Sequence, residues 1–174
     1  MALISYVSKS EAAEDVRPIL ENMEKKVGAV PNVFRAMAHS PALFEGFLAL
    51  NSALTKTKLD PKLRELAYIK TSELNGCEYC LHHHQNFGRK AGLNDRQVNE
   101  TPKFETSDAY DELQLDVMQY AKEVTRHINV SESLMTRLRQ RLSDREIVEL
   151  AMVVGIANFT NRVTETLKLE LESS

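Results

Sequence analysis

This chain of 174 residues has little of several things, and each shortage narrows what it can be. No apolar run approaches the roughly 18 residues that a membrane-spanning helix needs. There is no surplus of positive charge: 22 Lys and Arg stand against 25 Asp and Glu, a net charge of −3, whereas a nucleic-acid binder shows a basic patch. The N-terminus lacks a basic segment followed by an apolar one, the pattern of an export signal, so a cytoplasmic location is expected. No flavin or haem motif is visible, so no cofactor is expected and any redox chemistry must draw its electrons from elsewhere. No alternating apolar–polar run is bounded by turns as a strand would be, except at most residues 3–7. Cysteine is scarce too. There are two, Cys77 and Cys80, and a single Cys-x-x-Cys in a chain without an export signal points to catalysis or metal binding rather than a structural crosslink.

What remains is helix. A hydrophobic content of 43% is ordinary for a globular domain, and the length suffices for one sizeable core. The expectation is an all-α fold of about seven to nine helices in a single domain, 1–174, with an N-terminal arm over about 1–10 and a core motif over 60–92.

That motif organises the chain. Apolar residues recur at helical spacing from Leu63 to Leu74, behind the helix-starting pair Asp60-Pro61. Asn75-Gly76 is a turn signal. A second helix is expected from about Cys77 to Ala91, stopping at Gly92. At roughly 100° per residue, Cys77, Cys80, His84 and Phe87 share one face, and His82 points nearly the other way. If the two helices run antiparallel about residue 76, Glu65 falls opposite residue 87. His84 is then about 4.5 Å away along the axis, within reach of the Glu65 side chain. Cys80 lies one turn from His84, about 5–6 Å away. The order Glu, His, Cys is a path for taking a proton off a thiol, and the thiolate is the reactive form. A sulfenic acid formed on one cysteine can condense with a thiol three residues away, which is what a one-chain disulfide cycle requires.

The spacing Glu65-x11-Cys77-x-Tyr79-Cys80-x3-His84 resembles the signature of the alkyl hydroperoxidase D (AhpD)-like enzymes of the carboxymuconolactone decarboxylase superfamily. Pro31-Asn32-Val33-Phe34-Arg35-Ala36-Met37-Ala38-His39-Ser40-Pro41 is similar to the N-terminal part of that superfamily's peroxidase-related branch. The resemblance implies a peroxidase acting on alkyl hydroperoxides or hydrogen peroxide. Cys80 would be the peroxidatic cysteine, Cys77 the resolving one, and Glu65 and His84 the proton relay. Tyr79 stands where many members carry His. The resemblance also implies an external dithiol reductant, lipoyl or thioredoxin-like, and a homo-oligomer, trimer or hexamer.

Competing readings accompany each residue. Cys77, Cys80, His83 and His84 are ligand types that zinc accepts, but all lie within eight residues of one helix, and tetrahedral sites usually recruit two segments; no metal is expected. Glu65 could instead pair only with Arg64 or Lys62. His82 and His83 read as solvated, and His39 as a capping or surface residue. Phe34, Met37, Phe44 and Phe47 read as core, with a pocket over the thiols as the alternative. A decarboxylase-like lyase using His and Glu alone, and a non-enzymatic redox sensor, are the alternative functions.

The remaining elements follow from local signals. Ser8 or Ser10 is expected to cap an acidic turn over 11–15, with Pro18 breaking the pattern and a further helix running to Val27. A short helix opens at Pro31, and a second runs from Pro41 to about Thr55. Residues 94–99 form a helical turn, and 100–106 the one clear loop. Ser107 caps a helix to about Asn129, and Ser131 a stretch to Leu142. Ser143-Asp144-Arg145-Glu146 is a capping box that opens a long apolar helix, suited to a core or a subunit interface. Arg64-Glu65-Leu66-Ala67 is echoed by Val148-Glu149-Leu150-Ala151, and the twelfth residue after Glu149 is Asn161 rather than Cys.

Overall fold

A computed structural model describes residues 1–172. Among them are nine α-helices and one 3₁₀ helix, and no strand. The chain divides into two compact units: Met1–Lys56 with the segment from Thr164 onward, and Thr57–Val163.

In the first unit, α1 spans Arg17–Val27, α2 Asn32–Met37 and α3 Pro41–Leu54. Pro18 does not break a helix. It sits in the first turn of α1, where its missing N–H costs nothing. The acidic stretch before it is a turn closed by Ser8 and Glu11, the Glu11 carboxylate accepting from the Ser8 amide at 3.1 Å. Residues 3–7 are an arm without strand pairing; the Leu3 amide donates to the Leu167 carbonyl and the Val7 amide to the Arg35 carbonyl. Val7, Val16, Leu20 and Phe44 form the core, with Phe34 and Met37 packed against it. His39 is exposed and bonded through Nε2 to the Ser5 carbonyl oxygen at 2.9 Å.

The second unit is built on α4 (Pro61–Leu74), which is buried along most of its length. Asp60 caps it by accepting from the Lys62 amide at 2.7 Å. Gly76, at φ +67°, turns the chain into α5 (Glu78–Lys90), and its left-handed backbone is one that side chains disfavour. Then come α6 (Asp95–Asn99), capped by Asn94, and the 3₁₀ helix Thr101–Thr106, where a plain loop was expected. Pro102 opens that element and Phe104 is buried, which is what makes helical geometry pay off in so polar a segment.

Helix α7 (Glu112–His127) starts later than its Ser107 signal. Asp111 makes a reciprocal capping box with Gln114, satisfying two backbone donors where Ser107 would satisfy one. Next are α8 (Glu132–Arg139), behind Ser131, and α9 (Asp144–Thr166), behind the Ser143–Glu146 box. α4 packs against α5 and α7 around Leu66, Ile69, Leu93, Val98, Phe104, Tyr110 and Met118. Gly88 permits the close α4–α5 approach: a Cβ there would meet Leu93 at 3.0 Å and Ile69 at 3.2 Å.

Candidate active site

The site lies where α4 and α5 run side by side. Glu65, in the second turn of α4, is 4% exposed, and buried carboxylates require partners. It has two. His84 Nδ1 bonds Oε2 at 2.8 Å, and Arg64 Nε donates to Oε1 at 3.1 Å. Burial pushes the Glu65 carboxyl up. The His84 bond and charge, with Arg64, outweigh that and hold it below its ordinary value. Glu65 is therefore an anion facing an imidazole. With Nδ1 engaged, Nε2 is the ring nitrogen left to exchange a proton.

The imidazole plane is fixed from the side. Tyr68, one turn along α4 from Glu65, stacks on it with ring centroids 3.3 Å apart and planes 9° from parallel. Phe87, one turn further along α5, meets the His84 ring edge-on at 5.4 Å and is half exposed, forming an aromatic rim beside it.

The two sulfurs are buried, with Cys77 1% and Cys80 3% exposed. Cys77 is the N-cap of α5, and its Sγ accepts from the Cys80 amide at 3.3 Å, so both thiols sit at the helix mouth where backbone N–H groups favour negative charge. Cys80 lies four residues before His84 on the same helix, neighbours by helical geometry.

The turn that delivers Cys77 is anchored from α9. The Cys77 amide donates to the Ser72 carbonyl at 2.9 Å. Asn161, 1% exposed, donates to the Ser72 hydroxyl at 3.1 Å and accepts from Asn75 Nδ2 at 2.9 Å. Asn158 accepts from the same Asn75 amide at 3.1 Å. The sequence echo thus has a structural use. Asn161, standing where the first copy has Cys77, braces the Cys77 turn. Glu149, standing where the first copy has Glu65, caps the approach to α4 by accepting from the Lys58 and Leu59 amides, each at 2.8 Å.

Of the residues read from sequence, Glu65 and His84 are directly bonded, and Cys77 and Cys80 meet through an amide–sulfur bond. Tyr79 is buried and packs against His83, ring centroids 4.6 Å apart. His82 is exposed as expected, whereas His83 is half-buried rather than solvated, because it leans on the Tyr79 ring. Tyr68 was missed. Its signal was present: three residues beyond Glu65, it shares that residue's face of α4.

The sequence model of the carboxymuconolactone decarboxylase family matches residues 41–123. YdfG, an uncharacterized protein of Bacillus subtilis, is 22% identical over 111 residues, which are 63% of this chain and 76% of that protein. Among solved structures, a peroxidase-related protein of Ralstonia eutropha described as an alkylhydroperoxidase AhpD core superposes with a TM-score of 0.89 at 23% identity, covering 99% of this chain and 93% of that one. A structure of the debrominase Bmp8 in complex with 2,3,4-tribromopyrrole superposes with a TM-score of 0.84, also at 23% identity and with the same coverage. These likenesses establish the fold.

Proposed function

We propose that this chain, which belongs through residues 41–123 to the carboxymuconolactone decarboxylase family and carries the AhpD-like fold, is a thiol-dependent peroxidase. One observation carries the reading: the 2.8 Å bond between buried Glu65 and His84 Nδ1, one helical turn from a buried dithiol.

In this reading, His84 Nε2 takes the proton of Cys80, and the Glu65 carboxylate stabilises the imidazolium that forms. The Cys80 thiolate attacks the outer oxygen of a hydroperoxide. The O–O bond breaks, the leaving alkoxide recovers a proton from the imidazolium, and an alcohol departs. Cys80 is then a sulfenic acid. The Cys77 thiol attacks that sulfur, water leaves, and an intrachain disulfide results. Overall, one hydroperoxide and two thiols yield one alcohol, one water and one disulfide. An external dithiol, lipoyl or thioredoxin-like, returns the pair to thiols by exchange. Tyr79 keeps the first turn of α5 packed.

The protein works as a homo-oligomer in this reading, supported by the exposed apolar residues Val148, Met152 and Phe159 along one face of α9.

The test is peroxide consumption with a dithiol reductant, using tert-butyl hydroperoxide and hydrogen peroxide. Loss of two thiols per hydroperoxide without a covalent dimer is expected, together with loss of turnover in Cys80→Ser. Turnover that survives in Cys80→Ser ends the thiol reading.

A further inference from the structure

Tyr68 is 4% exposed and lies face-on to His84, at 3.3 Å and 9°. Its hydroxyl is tied down at the far end by a hydrogen bond with the Thr160 side chain. Thr160 gives its own hydrogen to the Ile156 carbonyl at 2.9 Å, so the phenol is the donor to Thr160. Burial foremost, then the nearby Cys80 sulfur, keep the phenol protonated by pushing its pKa far above the ordinary value of 10. Tyr68 therefore offers no proton to the relay. What it offers is a ring face held at both ends.

We propose that Tyr68 is the positioning residue of the relay: its stacked ring fixes the plane of the His84 imidazole, so that Nδ1 meets Glu65 while Nε2 stays open to Cys80, and its electron-rich face steadies the imidazolium. The proposal rests on the thiol reading above. An imidazole on a helix turns freely about its outer side-chain torsion. A ring parallel to it at contact distance blocks that turn. Both nitrogens lie in the imidazole plane, so fixing the plane directs both. The negative potential of an aromatic face also favours the charged form of what lies over it. When the Cys80 S–H bond breaks, the electron pair stays on sulfur and the proton goes to Nε2. The charge so made lies directly over Tyr68. The charged and titratable groups facing the Tyr68–His84 stack are Glu65, with Arg64 bonded to it, from α4 and Cys77 and Cys80 from α5; His83 is the next residue along α5, and α9 contributes the uncharged Thr160 through Tyr68.

Thiolate absorbance at 240 nm, followed from pH 5 to 9 in wild type, Tyr68→Phe and Tyr68→Leu, tests this without any substrate. Tyr68→Phe keeps the ring and loses only its Thr160 anchor, so its midpoint should lie nearer that of wild type than that of Tyr68→Leu. Tyr68→Leu should move the midpoint up by about half a pH unit, the worth of one ring-face contact with a cation. It should also slow single-turnover peroxide reduction by about tenfold. An unmoved midpoint in Tyr68→Leu overturns the proposal, and so does a Tyr68→Phe variant as impaired as Tyr68→Leu. Should Tyr68→Leu not fold, proton NMR of the wild type decides: the His84 ring protons should resonate upfield, shielded by the Tyr68 face, and ordinary shifts would refute the stack. Peroxidase activity in Cys80→Ser would sink the peroxidase reading while leaving both of these readouts intact.

Discussion

Glu65 is where burial and charge are most closely balanced. Because its carboxyl is held below the ordinary value of 4.5, the folded state binds fewer protons there than the unfolded chain. Its contribution to stability is complete above the ordinary carboxylate range and is lost as pH falls through the lowered folded value. Urea midpoints measured from pH 6 down to pH 3 should fall in wild type and fall less in Glu65→Gln. The same variant should lose about 100-fold in peroxide turnover, the common scale for a general-base system. Gly88 is the second decisive residue. A methyl at its Cα would press on Leu93 and Ile69, and Glu65 Cβ is only 3.7 Å away. Gly88→Ala should cost about 1–3 kcal/mol by denaturant titration and lower activity as well, because it wedges apart the two helices that hold Glu65 and His84.

At the scale of elements, the helices carrying the site were legible, and the reasons are local. Asp60-Pro61 starts α4, Gly76 ends it, and a 3.6-residue period brings Cys80 and His84 to one face. Antiparallel register then placed Glu65 opposite residue 87, with His84 within reach of its side chain. The misreadings came where local signals competed. Pro18 begins α1 rather than breaking it, and Asp111 outbid Ser107 as a cap by pairing with Gln114. Phe104 gives a polar stretch a buried anchor that periodicity could not reveal. Spacing put Tyr68 on the Glu65 face of α4, but its stack on His84, like the His83 contact with Tyr79, depends on ring orientation, which spacing does not report. One element end carries evident strain. Ile128 closes α7 in the left-handed conformation, at φ +54°, while 91% exposed. It gains nothing from burial to offset the crowding of its branched Cβ. Ile128→Gly should therefore raise stability by about 1 kcal/mol in thermal or urea unfolding.

At the scale of the whole molecule, the long helix α9 has two unlike faces. One carries Asn158 and Asn161 to the Cys77 turn; the other leaves Val148, Met152 and Phe159 at 61%, 46% and 51% exposed. No helix among the described residues is long and apolar enough to cross a membrane, so a bilayer-spanning role does not explain that face. A second copy of the chain, as in the proposed homo-oligomer, would cover it. Sedimentation equilibrium should give a mass that is a multiple of 19.7 kDa, and Met152→Glu with Phe159→Glu should reduce it toward that value without unfolding the protein. A monomeric wild type would refute the assignment.

The sulfur of Cys77 has two occupations. It is the acceptor that secures the Cys80 amide, and in the proposed peroxidase cycle it is also the group consumed when the disulfide forms. It cannot fill both equally well, since drawing its Sγ into bonding distance of the Cys80 sulfur moves it off the line of the Cys80 N–H. Oxidation should thus loosen the very turn that houses the couple. Hydrogen–deuterium exchange of the Tyr79 and Cys80 amides should quicken in the oxidised protein while the remainder of α5 keeps its protection. The fold would then announce its redox state to a reductant by a small local fraying rather than by a change of shape.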